Sequence, residues 1–361
     1  MRRLLTSTLS ALLVILSVVF VGCDIHEYPV IKTDANPLVL HLNFDTIMPL
    51  HQELVYTKTQ RRIRGNALPT TYDVRHIVSV HRLLLDGTYN RTADTVITYL
   101  CPNTDSLNCT RILNLPEGDY RFFVWTDYVA EGQDADLFYN TYDFAEIILQ
   151  SKSNYIGNSN YRDAFRGEQT VSVHAKRDEI TPVNNETTIS MGRPLAKFRF
   201  ISTDFDIFLE KALAEEASRQ ANSPSTGSSE SDTETKTVDP NDYSVLFRYA
   251  EFMPCSYNMF TDHPADSWTG VWFSSALRPM SDTEVEMGFD YVFVNGAEAG
   301  VKVIVEVYNK DGVMVSSSPA IEVPLKRNHL TIVKGEFLTS IAQGGITIHT
   351  DFDGEYNIEI Q

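Results

Sequence analysis

Apolar and polar residues alternate with period two through most of this chain, the spacing of half-buried strands. Leu38, Leu40 and Leu42 alternate with Val39, His41 and Asn43. A short run follows at Glu53 to Tyr56. From Tyr72 to Asp86 the positions Val74, His76, Val78, Val80 and Leu84 share one face, and the Asp86-Gly87 turn ends the run. Further strands are predicted at Asp94 to Leu100, Arg111 to Leu115, Asp119 to Trp125, Phe144 to Leu149, Gln169 to His174 and Glu186 to Met191. Short strands at regular spacing, each bounded by turn residues, predict a mostly β protein built as a β-sandwich.

The pattern restarts at Arg193 to Ile201 and then changes period. Thr203-Asp204-Phe205-Asp206 resembles a capping box, and Phe205, Phe208, Leu209 and Leu213 fall at helical spacing, so one short helix is expected here. Residues from about 214 to 242 are acidic, rich in serine and nearly devoid of large apolar side chains, which predicts a disordered loop inside the second half. Strand signals resume at Tyr243 to Met253, Asp290 to Val294 and Val301 to Tyr308. Asn309-Lys310-Asp311-Gly312 then makes the strongest hairpin turn, leading into Val313 to Ser317. Leu330 to Leu338 and Ile346 to Ile348 follow. The last stretch sets Phe352, Tyr356, Ile358 and Ile360 against Asp351, Asp353, Glu355, Asn357 and Glu359. The expected division is residues 37–191 and 192–361, two tandem sandwiches.

The first residues obey neither period. Arg2 and Arg3 precede an apolar run from Leu4 to Val21, which ends at Gly22-Cys23. That order reads as a signal peptide, residues 1–22, closing in a lipobox. Cys23 is then the first mature residue and carries lipid. The alternative is an uncleaved span, since 18 residues just reach across a bilayer. Residues 23–36 lack periodicity and read as a tether. Removing residues 1–22 leaves 28 Lys and Arg against 48 Asp and Glu, a net charge of −20. A surface so acidic repels nucleic acid and anionic headgroups, so the membrane contact falls to the lipid.

Candidate chemistry is sparse. Cys101 and Cys109 flank a short Pro/Asn/Asp loop and form either a disulfide in an oxidising compartment or a pair of free thiols. Cys255 reads as a buried thiol. His76 and His81 point to opposite faces of one strand and share no ion; no metal site, cofactor fingerprint or catalytic motif is found. Asp204 and Asp206 suit a helix start. Arg61, Arg62 and Arg64 form a basic patch in an acidic protein, either a solvated loop or a site for an arginine-specific protease. Trp268 and Trp272, four apart on one strand face, suit core packing or a stacking platform for a surface glycan.

Several stretches together carry a resemblance. They are Asp24-Ile25-His26-Glu27-Tyr28-Pro29; Leu115-Pro116-Glu117-Gly118-Asp119-Tyr120 with Trp125-Thr126-Asp127-Tyr128; Asp163-Ala164-Phe165; Arg193-Pro194-Leu195-Ala196-Lys197; and Val323 to Thr331 with Gly335-Glu336-Phe337-Leu338-Thr339. In order and spacing the chain resembles the fimbrillin-like lipoproteins of Bacteroidetes, which include the anchoring subunits of type V fimbriae. The resemblance implies transthyretin-like (Ig-like) sandwiches, outer-membrane attachment with exposure at the cell surface, and no enzymatic activity. It also implies donor-strand pairing with partner fimbrial subunits, in which an extended segment of one subunit fills a groove in another. A chain that keeps Cys23 is then an anchor or accessory subunit. A chain cut at Arg61 to Arg64 loses the lipid together with the strand from Pro37, and is a stalk or tip pilin.

Overall fold

The computed structural model describes residues 35–45, 69, 71–102, 107–175, 183–221, 238–295 and 299–339, and the backbone alone of strands 346–350 and 355–360. Cys23, Arg61, Arg62, Arg64 and most of the acidic loop lie outside the described residues, as do the side chains of the closing alternation.

The first half contributes β1 (Asn36–Phe44), β2 (Tyr72–Arg82), β3 (Thr95–Pro102), β4 (Cys109–Leu115), β5 (Gly118–Ala130), β6 (Tyr139–Asn140), β7 (Ile147–Leu149), β8 (Phe165–Val173) and β9 (Glu186–Gly192). Seven of these make one sheet in the order β3-β2-β5-β8-β9-β1-β4. It is not flat. Among the described residues β8 and β9 join through Arg166 opposite Gly192 and Gly167 opposite Met191, and the sheet folds over at that seam. Its two arms then face each other: the Phe44 ring of β1 packs 5.8 Å from His76 of β2 and 5.1 Å, edge-on, from Phe165 of β8. A sandwich is thus made from a single folded sheet.

The second half supplies β10 (Leu195–Ser202), helix α1 (Phe205–Ala221), β11 (Tyr243–Tyr249), β12 (Met253–Pro254), β13 (Ser256–Asn258), β14 (His263–Pro264), β15 (Ser267–Trp268), β16 (Trp272–Ala276), β17 (Arg278–Pro279) and β18 (Val285–Phe293). It continues with β19 (Ala299–Asn309), β20 (Met314–Ser317), β21 (Ile321–Leu325), β22 (Leu330–Gly335), β23 (Ile346–Thr350) and β24 (Glu355–Ile360). A six-stranded sheet, β17-β18-β10-β22-β24-β23, lies against a five-stranded one, β16-β11-β19-β20 with β21 also on β19. Phe200 of β10 meets Phe247 of β11 at 5.4 Å and Phe198 meets Tyr249 at 6.3 Å across the layers. The expected hairpin forms: the Asn309 side chain accepts from the N–H groups of Asp311 and Val313, and Gly312 takes the positive φ the turn requires, 74°.

Three expectations change. The strand from Tyr72 was read as having one buried face, yet Arg75, Ile77, Ser79 and His81 are buried as well as Val74, His76, Val78 and Val80. Cover comes from far along the chain, where the Phe260 ring packs 5.5 Å from His81 and 4.8 Å from Phe123. The acidic loop was expected from about residue 214, but α1 continues to Ala221. Its last turns read Ala-Glu-Glu-Ala-Ser-Arg-Gln-Ala, residues with good intrinsic helix preference, and an apolar stripe is not needed to extend a helix already started. Asp204, finally, does not cap its own helix with its side chain. That carboxylate accepts from Ser202 Oγ (2.5 Å), Thr339 N (2.8 Å) and Thr339 Oγ1 (2.6 Å), tying the helix start to the segment after β22.

Candidate functional site

β1 occupies an unusual place for a first strand. It runs antiparallel to β4 and parallel to β9, with Leu38 opposite Leu113 on one side and Leu42 opposite Ile189 on the other. Neither neighbour is the next strand in the chain, which is β2. Parallel pairing with β9 requires a long return path, so β1 lies between partners that the intervening chain supplies. Its inward positions Leu38, Leu40, Leu42 and Phe44 are at most 6% exposed. At about 1.5–3 kcal/mol per buried side chain they contribute on the order of 6–12 kcal/mol, comparable with the whole stability of a domain. Outward, His41 spans both neighbours, bonding Thr110 Oγ1 of β4 at 2.9 Å and Glu186 Oε1 of β9 at 2.7 Å. Beside β1, Leu113 and Leu115 of β4 and Ile189 and Met191 of β9 stand opposite its inward positions, all buried.

The far end of β1 is held by a polar junction between the halves. Arg193, just before β10, donates through Nε to both Asp163 oxygens at 2.9 Å and through Nη1 to Asn328 Oδ1 (3.0 Å) and the Asp45 carbonyl (3.3 Å). Lys197 on β10 bonds Asn160 Oδ1 at 2.8 Å and lies 4.1 Å from the centre of the Phe289 ring. Burial, with Arg199 nearby, brings its amine down to about 8. Arg162 pairs with Asp290 of β18, and both are within 2% of full burial. Tyr155 and Tyr249 also donate to Asp290, each at 2.7 Å, so every oxygen of that carboxylate is used. Burial pushes the Asp290 carboxyl up while Arg162 and the tyrosines pull it down. Such a group is costly to bury alone and stable only as a set.

A second seam joins the halves by backbone. β7 pairs with β13, Ile147 opposite Tyr257 and Ile148 opposite Ser256, within the four-stranded sheet β14-β13-β7-β6. Arg327 completes it, reaching Asp262 at 2.6 and 2.8 Å and also touching Tyr257. Burial raises the Asp262 carboxyl, but Arg327, Tyr257 and Arg166 outweigh it and leave it at about 2. Sequence reasoning did not assign any role to Asp163, Arg193, Lys197 or Asn328. The signal lay in their motifs, which here converge on one junction.

The other candidates are dispersed. Cys101 on β3 and Cys109 on β4 are both half-buried free thiols on the wall of one cavity of about 150 Å³. Cys255 is fully buried, as expected, and burial pushes its thiol up to about 12. His76 and His81 do face apart, His76 toward Thr126 and His81 toward Ser79 and the Asn90 carbonyl. Trp268 and Trp272 were expected on one strand face and are not: Gly270, at φ 65°, turns the chain between them. Trp268 pairs with Met253 on β12 and packs on the core, whereas Trp272 pairs with Arg248 on β11 and is 49% exposed. Among the described residues no helix is long and apolar enough to cross a membrane, and no cluster of three or more His, Cys, Asp or Glu is placed to hold a metal ion.

The model of a family described as "Family of unknown function (DUF6562)" matches residues 33–361. No curated protein matches the chain in sequence. Similar solved structures include a candidate polysaccharide-binding protein (DUF1812) from Bacteroides thetaiotaomicron, 14% identical, covering 78% of this chain and 79% of its own, with a TM-score of 0.38. The fimbrial anchor protein Mfa2 from Porphyromonas gingivalis is 12% identical over 78% of this chain and 81% of its own, at 0.33. A fimbrial assembly protein from Parabacteroides distasonis is 11% identical over 83% and 90%, at 0.35.

Proposed function

The chain belongs to the Family of unknown function (DUF6562), and we propose that it is a non-catalytic cell-surface lipoprotein that anchors or joins fimbrial subunits through β-strand complementation. The lipid on Cys23 fixes one end in the outer membrane, and the strand-rich body holds another subunit. The observation that carries this reading is β1 itself, a strand lying in a groove between β4 and β9 that its own chain neighbours do not line. A groove that accepts one extended apolar segment accepts another of the same alternation, because main-chain pairing supplies affinity and alternate pockets supply choice.

One observation favours a second reading. Arg61, Arg62 and Arg64 fall after β1 and before β2, so a cut there would separate β1 and Cys23 from the remaining fold. The chain would then be a stalk or tip subunit with its groove open. Mapping the N-terminus and lipid of the protein taken from cell envelopes decides between them. An acylated Cys23 on the full-length mature chain supports the anchor; a start at residue 62 or 65 supports the pilin. An intact Met1 in the membrane fraction overturns both.

A further inference from the structure

We propose that Cys101 and Cys109 form a disulfide that staples together the two free edges of the seven-stranded sheet and thereby keeps the β1 groove at strand width. The bond is argued from the cavity that both thiols, free in this structure, share; its effect on the groove rests on the strand-complementation reading.

β3 and β4 are the opposite ends of that sheet, yet the fold at Gly167 brings their inner faces together. Tyr99 and Cys101 are among the inward positions of β3, and Cys109 and Arg111 among those of β4. Arg111 already crosses the gap, its Nη2 lying 2.6 Å from Cys101 Sγ and its guanidinium 5.2 Å from the centre of the Tyr99 ring. Cys109 is two residues from Arg111 on the same face, and both thiols line the cavity of about 150 Å³ that also touches Val74, His76 and Asn108. The segment they bracket reaches β1 directly, since the Phe44 N–H donates to Asn108 Oδ1 at 2.9 Å.

β4 needs such a tie more than any other strand in this sheet. Among the described residues its ladder is with β1 alone, so when β1 leaves, β4 keeps none of its described main-chain partners in the sheet. A covalent link to β3, which stays paired with β2, holds it across the opening. The chemistry balances with a disulfide oxidant, a protein disulfide or oxidised glutathione. The Cys101 thiolate attacks one sulfur of the oxidant and expels the other as a thiol. Cys109, deprotonated, then displaces the bound half, so the S–S bond forms as the oxidant departs as two thiols.

The test uses the mature chain, residues 23–361, oxidised with glutathione disulfide, denatured, alkylated with and without prior reduction, and mapped by mass. Cys101 and Cys109 are expected in one linked peptide, with Cys255 alkylated in both arms. Free Cys101 and Cys109 after oxidation overturn the bond. Oxidised and reduced chains are then cut with an arginine-specific protease and stripped of the released segment. Binding of a synthetic peptide spanning Asn36–Phe44 is measured next. The oxidised form is expected to bind at least tenfold more tightly than the reduced form or a Cys101→Ser/Cys109→Ser variant. Equal binding by linked and unlinked forms overturns the staple's effect on the groove. Absence of peptide binding to every form, with the disulfide mapped, counts against strand complementation and leaves the bond standing.

Discussion

Gly167 stands where the seven-stranded sheet folds, and a side chain there would overlap the sulfur of Met191 and the Ile189 side chain. Here a missing atom lets β8 and the side chains of β9 close up, and the sequence around it, Phe-Arg-Gly-Glu, carries no turn signal. His76 is another residue whose setting was only half legible. Its face followed from period two, but its depth did not, because the cover over the strand comes from distant chain. Burial, with the charge of Arg111 nearby, lowers the His76 imidazole to about 4. The unfolded chain protonates near pH 6.5 and so binds the proton first; stability from this group is full above that pH and is lost as pH falls toward 4. The loss amounts to at most about 3 kcal/mol. Urea unfolding at pH 7 and pH 4.5 is expected to show a drop that a His76→Gln variant reduces; an unchanged drop would move the acid sensitivity to other groups, such as His81.

Among the elements, local ones were readable and distant pairings were not. The Leu38, Leu40, Leu42 alternation announced β1, and Asn309 to Gly312 announced the β19–β20 turn, because both signals sit within a few residues. Nothing local announces that β1 runs parallel to β9 or that β24 runs parallel to β22, with Leu330 opposite Glu355. Parallel partners are far apart in sequence and share no turn. The tryptophan pair failed for the converse reason: strand spacing was assumed to continue through Gly270. Since β1 is packed as a core strand and not laid on as a tail, Leu40→Ala is expected to cost about 2–5 kcal/mol, and His41→Ala, on the outer face, under about 1 kcal/mol. Denaturant midpoints measured at constant slope check this; similar small losses for both would mean that β1 docks loosely.

At the scale of the molecule, the buried residues before and after residue 192 form one hydrophobic cluster, and two seams join the two stretches. The halves are therefore expected to unfold together. Trp125 fluorescence, reporting the first half in a chain where Trp268 and Trp272 are changed to Phe, should coincide with the far-ultraviolet signal of the whole; separated transitions would contradict the coupling. Asp290→Asn leaves Arg162 buried without its charge partner and is expected to cost about 3–5 kcal/mol, whereas Arg162→Met with Asp290→Leu should cost less. A double-mutant cycle measures the difference. The same architecture sets how the proposed anchor responds to force. A pull on a lipidated Cys23 enters the fold at Asn36 and runs along the axis of β1, so the ladders to β4 and β9 are loaded in shear, many hydrogen bonds at once, instead of being peeled one at a time. Tension drawn through β1 also arrives at Asp45, where Arg193 grips the chain. The strand that the proposed cleavage would free chemically is in this way the one best placed to resist being pulled out mechanically.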